Sequence, residues 1–167
     1  MPGTRRSMRA KARTIKMVLL DVDGVLTDGG LYYTADGHEL KRFHAHDGYG
    51  IVRGREAGLM FGIISGRTTP IVTARAKVLK IDEVIQGVDD KLAAFRLLQQ
   101  RCGLSDVEFA FIGDDLFDIP LLKTVGFSAA PRNALPAVKR AVDYVTRVSG
   151  GEGAVRDFVD LILARRG

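Results

Sequence analysis

The chain has 167 residues, 46% hydrophobic and 27% charged, which is typical of a single globular domain. It contains no apolar run of the roughly 20 residues that a membrane helix needs, and its one cysteine excludes an internal disulfide framework, so we expect a cytoplasmic protein. The net charge of +5 arises from residues 1–16, which hold six basic residues and no acid; we therefore predict a solvated basic arm at residues 1–14 and no binding to nucleic acid.

Residues 15–20 (IKMVLL) form an almost uninterrupted apolar run, typical of a strand covered on both faces. The run ends abruptly in Asp21-Val22-Asp23. Further apolar runs follow at residues 59–64, 84–85 and 107–112, with weaker ones at 127–129 and 144–145.

Helical patterns separate these runs. One is opened by Pro70 and extends to about Leu79, and another covers residues 91–102 and is stopped by Gly103. Strands that alternate with helices of this length predict one α/β domain at residues 15–167, built on a doubly wound parallel sheet. Residues 30–43 interrupt the alternation and predict a projecting β-hairpin, with a primed turn at Asp36-Gly37.

Polar residues follow three of the predicted strands: Asp21 and Asp23, then Ser65-Gly66, then Asp114-Asp115. Ligands of doubly wound sheets bind beyond the carboxyl ends of the strands, so we expect the site there. One aspartate can attack phosphorus while the other exchanges protons with the leaving group and with water. Asp114 completes an all-oxygen site suited to Mg²⁺. The hydroxyl of Ser65, the amides around Gly66 and the ammonium of Lys91 can bind phosphate.

Each of these features is weak alone. An Asp-x-Asp motif also occurs in metal-dependent glycosyltransferases, Ser-Gly is usually a turn, Lys91 can be solvated, and Asp114-Asp115 can simply cap the next helix. Their order on successive strand ends is what favours a phosphatase.

Four segments, DVDGVLTDG (21–29), ISGR (64–67), Lys91 and IGDDLFD (112–118), resemble in order the motifs of the haloacid dehalogenase-like phosphatases. The resemblance implies that Asp21 is the nucleophile, Asp23 the general acid/base, and Ser65 and Lys91 the phosphate ligands. It implies that Asp21, Asp23 (through its carbonyl) and Asp114 bind Mg²⁺, with Asp118, and more weakly Asp115, supporting the metal site from outside.

From residue 15 to the C-terminus the chain is further similar to the 3-deoxy-D-manno-octulosonate 8-phosphate phosphatases, through FHAHDGYGI (43–51), VIQGVDDK (84–91), DYVT (143–146) and GGEGAVRDFVDLIL (150–163). That family acts in lipopolysaccharide biosynthesis on a sugar phosphate. Its members are capless homotetramers whose hairpins pack together and whose C-terminal segments close neighbouring active sites. The short spacing between Asp21, Ser65 and Lys91 leaves no room for a cap domain.

Two positions, Arg67 and His46, bear on the substrate, and the second departs from the family. Relatives that act on nine-carbon sugars carry an acid where Arg67 stands, so Arg67 favours the eight-carbon acid over a nonulosonate 9-phosphate; we expect it to pair with the sugar carboxylate. His46 stands where the octulosonate phosphatases often have Arg. We expect His44 and His46 to lie at a strand edge or near substrate rather than to bind a metal.

The C-terminal tail, residues 150–167, begins with a glycine-rich segment that predicts a hinge, followed by an apolar helical stripe. The tail either packs on its own subunit or lies over a neighbour's pocket, bringing Arg156 to the substrate; in the second case a chain ending at Ser149 should still fold.

Two other functions compete with the predicted phosphatase activity. A receiver-type phosphoacceptor domain is disfavoured because here the acidic pair opens the sheet and Lys91 precedes Asp114. A catalytically silent regulatory domain is disfavoured because all the catalytic residue types are present.

Overall fold

The computed structural model describes residues 7–167. It contains eight strands in that part of the chain: β1 Met17–Leu20, β2 Tyr32–Tyr33, β3 Glu39–Leu40, β4 Met60–Ile64, β5 Glu83–Ile85, β6 Phe109–Ile112, β7 Phe127–Ala130 and β8 Tyr144–Val145. Six of them form one parallel sheet in the order β5-β4-β1-β6-β7-β8, while β2 and β3 form a separate antiparallel hairpin. The predicted doubly wound parallel sheet is confirmed.

The strand order reverses between β1 and β6, because the chain first moves outward from β1 to β5 and then outward in the other direction from β6 to β8. In register, Leu20 of β1 lies between Ile63 of β4 and Ile112 of β6. The residues that follow these strands therefore meet at one edge, at the reversal point where doubly wound sheets bind their ligands.

Within residues 7–167, seven α-helices cover this sheet: α1 Met8–Thr14, α2 Ala45–Glu56, α3 Pro70–Leu79, α4 Lys91–Cys102, α5 Ile119–Leu122, α6 Pro136–Ala141 and α7 Ala154–Arg166. Alternate residues of β1 enter two different cores, as the two-residue period of a strand requires. Val18 and Leu20 face the core that includes α1, α2, α3 and α7, whereas Met17 and Leu19 face the core formed with α4, α5 and α6.

The hairpin lies within the predicted residues 30–43, and a bridge between Thr27 and Phe43 closes its base. The predicted primed turn is wrong. Both kinds of primed turn need a positive φ at the first central residue, Asp36, and of the two residues only Gly37 has it, at +86°. Thr34 pairs with His38 across a three-residue loop, and the hydroxyl of Thr34 accepts a hydrogen bond from the His38 amide, which favours the longer loop.

The N-terminal segment differs from the expected solvated arm over residues 8–14. These residues form α1, which packs against α7 with Ala12 fully buried. Lys11 forms an ion pair of 2.6 Å with Asp143. A count of charges cannot detect this packing, because the basic side chains surround a single small buried residue. Arg5 and Arg6 lie outside the described residues.

The predicted glycine hinge is also wrong. Gly150 and Gly151 are buried against the loop that follows β1, and the Gly151 amide donates a hydrogen bond of 3.2 Å to the Val25 carbonyl. A Cβ on Gly150 would lie 1.8 Å from the Gly24 carbonyl oxygen, so glycine provides close approach here rather than flexibility.

The tail continues into α7, whose apolar stripe is buried in its own subunit. Val155, Phe158, Val159 and Ile162 have no exposed surface. Helix α7 has no side-chain cap of its own, and the carboxylate of Asp47 on α2 accepts the Arg156 amide at 2.9 Å instead. Of the two alternatives for the tail, the structure therefore supports packing on the same subunit.

Candidate active site

The centre of the site is a buried ion pair between Asp21 and Lys91. The Asp21 amide still bonds to the Ile112 carbonyl of β6, which fixes the residue at the end of the sheet. Lys91 is the first residue of α4, and its Nζ lies 2.8 Å from Asp21 Oδ1 with no solvent exposure of the side chain. Burial lowers the pKa of the Lys91 ammonium, but the carboxylates of Asp21 and Asp118 outweigh burial and the pKa is raised. Lys91 is therefore a permanent cation.

Asp118 connects this ion pair to the loop after β6. Its Oδ1 lies 2.7 Å from Lys91 Nζ, and its Oδ2 accepts the backbone amides of Asp114 and Asp115 at 3.0 and 3.1 Å. The residue is fully buried. Because both oxygens are occupied by donors of the protein, Asp118 orients its neighbours and is not a free carboxylate.

Asp21, Asp114 and Asp118 form a cluster in which one oxygen from each lies within 4.8 Å of the others. Burial raises the pKa of Asp21 to about 6, even though Lys91 opposes the shift. Burial, and next the charge of Asp21, raise the pKa of Asp114 to about 8. Crowded carboxylates with raised pKa values favour a bound cation, and oxygen ligands suit Mg²⁺. Asp21 and Asp114 are the residues with oxygens free to hold it.

The pKa shifts predict how Mg²⁺ changes stability with pH. Both folded-state pKa values lie above the ordinary value near 3.8, so the metal-free protein loses stability as the pH rises from about 4 to about 8. Mg²⁺ binds the ionised carboxylates, and we expect its stabilisation, measured as the rise in Tm, to be larger at about pH 8.5 than at about pH 5.5.

Asp114→Asn should make the metal-free protein more stable at the higher pH, by at least about 1 kcal/mol, and should abolish the Mg²⁺ effect. Asp160→Asn, outside the cluster, should leave that effect intact. An equal Mg²⁺ shift in wild type and Asp114→Asn would place the metal elsewhere.

The opposite wall of the site is formed by the residues after β4. Ser65 is buried, and its amide donates to the Ile85 carbonyl at 2.9 Å, so the hydroxyl is the group it can offer a ligand. An open cleft of about 320 Å³ lies between the two walls; it is lined by Asp21, Asp23, Gly29, Ser65, Gly66, Arg67, Asp114, Asp115 and Phe117.

The hairpin brings two residues to this wall that the sequence did not single out. Lys41 Nζ lies 2.6 Å from Asp23 Oδ1, and Glu39 Oε1 lies 2.8 Å from Arg67 Nη2. The signal for them was the alternation of Glu39, Leu40 and Lys41, which in extended chain puts the two charges on the same side. Phe117 was also missed; its ring centroid lies 4.4 Å from Lys91 Nζ and the residue is half-exposed at the rim.

Not every predicted site residue lies in the cleft. Arg156 is on the outer side of α7, where its Nε lies 2.6 Å from Asp160 Oδ2. Asp115 lines the cleft but also caps the turn Leu116–Asp118. His44 Nδ1 accepts the His46 amide at the start of α2. Within residues 7–167 the histidines form no metal-binding group.

The fold and the site are those of a haloacid dehalogenase-like hydrolase. Comparison with known proteins agrees, because the family model for haloacid dehalogenase-like hydrolases matches residues 80–158. The 3-deoxy-D-manno-octulosonate 8-phosphate phosphatase KdsC of Escherichia coli K12 is 42% identical over 158 residues, which is 95% of this chain and 84% of that protein.

Two solved structures are similar over nearly the whole chain. The 3-deoxy-D-manno-octulosonate 8-phosphate phosphatase of Moraxella catarrhalis, in complex with magnesium, phosphate and KDO, has a TM-score of 0.93 and 39% identity, covering 95% of this chain and 91% of that one. The cobalt-bound enzyme of Haemophilus influenzae has a TM-score of 0.90 and 41% identity, covering 94% and 92%. This chain belongs to the 3-deoxy-D-manno-octulosonate 8-phosphate phosphatase family of the haloacid dehalogenase-like hydrolases, which confirms the predicted family.

Proposed function

We propose that the protein is a Mg²⁺-dependent phosphatase that hydrolyses 3-deoxy-D-manno-octulosonate 8-phosphate to the free sugar acid and phosphate in lipopolysaccharide biosynthesis. The observation that carries the chemistry is the buried carboxylate Asp21, paired with Lys91 at 2.8 Å beside Asp114 at the reversal point of the sheet. The choice of substrate rests on family membership and on Arg67, which lines the cleft.

In the first step Asp21 attacks phosphorus and the bond to the sugar oxygen breaks, leaving an aspartyl phosphate. Lys91 and the Ser65 hydroxyl hold the phosphoryl oxygens. The buried ammonium of Lys91, which stays positively charged, offsets the negative charge of those oxygens. When bound at Asp21, Asp114 and the Asp23 carbonyl, Mg²⁺ neutralises the negative charge that would otherwise repel the substrate.

Asp23 serves both steps. It gives a proton to the departing sugar oxygen, and it then takes one from the water that hydrolyses the aspartyl phosphate. Asp23 lines the cleft together with Asp21, which supports this role. Asp118 takes part indirectly, because it fixes both Lys91 and the loop that carries Asp114.

Arg67 is the residue that selects the sugar acid in this proposal. Its guanidinium is partly exposed at the cleft and is paired in the free protein with Glu39. A substrate carboxylate can take the place of Glu39 on the same guanidinium. The alternative substrate is a nonulosonate 9-phosphate, for which a cation at this position is less suited.

The proposal is tested by phosphate release from octulosonate 8-phosphate, nonulosonate 9-phosphate and p-nitrophenyl phosphate, with and without Mg²⁺. We expect the eight-carbon substrate to give the highest kcat/KM. Arg67→Ala should raise the KM for it by about 10-fold or more and leave hydrolysis of p-nitrophenyl phosphate nearly unchanged, because that substrate has no carboxylate. A higher kcat/KM for the nine-carbon substrate would refute the substrate, and equal losses on both substrates would make Arg67 a phosphate ligand.

The proposal includes a homotetramer in the cytoplasm. Leu31, Tyr32, Tyr33 and Leu40 of the hairpin are 42–63% exposed, which makes an apolar surface suited to packing between subunits. The cleft is open in the single chain, and a neighbouring subunit could exclude water from the aspartyl phosphate. Because α7 is part of its own subunit's core, only its outer side chains, including Arg156, are candidates to reach a neighbour's cleft.

The rival functions are less well supported. The complete set of Asp21, Lys91 and Asp114 favours an enzyme over a catalytically silent regulatory domain. A receiver-type phosphoacceptor is disfavoured by the order along the chain, because Asp21 follows the first strand of the sheet and Lys91 precedes Asp114.

A further inference from the structure

Four alternating charges join the hairpin to one wall of the cleft. Lys41 Nζ lies 2.6 Å from Asp23 Oδ1 and 3.3 Å from Glu39 Oε1. Arg67 Nη2 lies 2.8 Å from Glu39 Oε1, and its Nη1 lies 3.8 Å from Asp23 Oδ2. The four charges sum to zero, so the group is balanced without any ion from solvent.

Lys41 is the buried member of this group. Its side chain is 2% exposed, against 29% for Asp23 and 43% for Arg67. It does not line the cleft and lies behind Asp23. A buried ammonium is costly unless it is paired, so the two carboxylates are what hold it there. Glu39 in β3 and Lys41, the residue after β3, both turn inward, while Leu40 between them is 55% exposed.

We propose that Lys41 is a positioning residue that holds the carboxylate of Asp23 in place for its exchange of protons with the leaving group and with water, an inference that rests on the proposed phosphatase function. Each oxygen of Asp23 has a different cation near it, Lys41 on Oδ1 and Arg67 on Oδ2. Without Lys41, the remaining cation is Arg67, which would draw the carboxylate toward the substrate's binding position. Lys41 itself transfers no proton.

The chemical step that depends on this position is defined by the leaving group. When the bond from phosphorus to a sugar oxygen breaks, the electron pair stays on that oxygen, which must receive the proton of Asp23. A p-nitrophenolate departs without a proton, so formation of the aspartyl phosphate from p-nitrophenyl phosphate does not need Asp23. Hydrolysis of the aspartyl phosphate needs it with either substrate, because water must lose a proton.

The test compares Lys41→Met, which keeps the length of the side chain and removes the charge, with Lys41→Arg. For Lys41→Met we expect kcat on the sugar phosphate to fall about 10- to 100-fold with little change in KM. The first-turnover burst of p-nitrophenol should change less than about threefold, followed by slow turnover and accumulation of aspartyl phosphate in rapid-quench samples. Lys41→Arg should recover part of the lost kcat.

Lys11→Met is the matched control, because Lys11 forms an ion pair of the same 2.6 Å length with Asp143 away from the cleft. It should leave the burst and kcat unchanged. The double variant Lys41→Met with Glu39→Gln restores the balance of charge without restoring the ion pair to Asp23, and we expect it to remain slow.

Several results would overturn the inference. These are unchanged kcat in Lys41→Met, a raised KM at constant kcat, equal losses in the burst and on the sugar phosphate, and full recovery in the double variant. If the wild type itself lacks Mg²⁺-dependent hydrolysis of both substrates, the proposed function fails and the role of Lys41 fails with it; a failure confined to the variants leaves the proposed function standing.

Discussion

Asp21→Asn should reduce turnover by at least about 10³-fold while the protein stays folded. The amide keeps the size of the side chain and can still contact Lys91, but it cannot attack phosphorus. Lys91 retains the carboxylate of Asp118 at 2.7 Å, so it is not left as an unpaired buried charge. The measurement is steady-state phosphate release at saturating Mg²⁺, with circular dichroism to establish the fold.

Asp160→Asn is a suitable control, because Asp160 pairs with Arg53 and Arg156 outside the cleft. It should keep near-normal turnover. Retention of more than about one per cent of wild-type turnover by Asp21→Asn, in protein free of deamidated material, would mean that the nucleophile is another residue.

Truncation after Ser149 should unfold the protein, contrary to what the glycine-rich sequence suggested. The deletion removes four large side chains that are fully buried, Val155, Phe158, Val159 and Ile162, and the burial of each contributes about 1.5–3 kcal/mol. Their sum is comparable with the roughly 5–15 kcal/mol that stabilises a whole domain. The truncated chain should lack a cooperative thermal transition and the sharp NMR spectrum of a folded protein.

Deletion of residues 165–167 alone is the control for shortening the chain. Arg165 and Gly167 are exposed, and this shorter deletion should preserve the thermal transition. A cooperative transition in the chain that ends at Ser149 would show that α7 is dispensable to the core.

The sequence was sufficient to predict the sheet and the centre of the site. Apolar runs marked each of the six parallel strands, and the acids after residues 20 and 112 had to lie close together once β1 and β6 were neighbours. In a parallel sheet the carboxyl ends of neighbouring strands lie at the same edge, so residues that follow those strands are close in space even when they are far apart in the sequence. Asp21, Ser65 and Asp114 were therefore accessible to prediction.

Features that depend on packing were not predictable. Glu39 lies in a strand of two residues and Lys41 directly follows it, and such a short strand does not stand out from an ordinary charged surface. The segment Gly150-Gly151 has the composition of a hinge, and only the absence of space for a Cβ reveals its role. Asp118 was expected at the edge of the metal site, yet it is fully buried with both oxygens bonded, which no spacing along the chain could indicate.

The contact between Gly150 and the loop after β1 has a consequence for how the protein is made. The loop that follows Asp21 is synthesised early, whereas the glycines that pack on it are synthesised only after all six strands of the parallel sheet. The strands of the sheet can therefore pair before the loop after Asp21 has the backbone contact that supports it. For a chain interrupted during translation before residue 150, we therefore expect the loop after Asp21 to lack this support even where the sheet has formed.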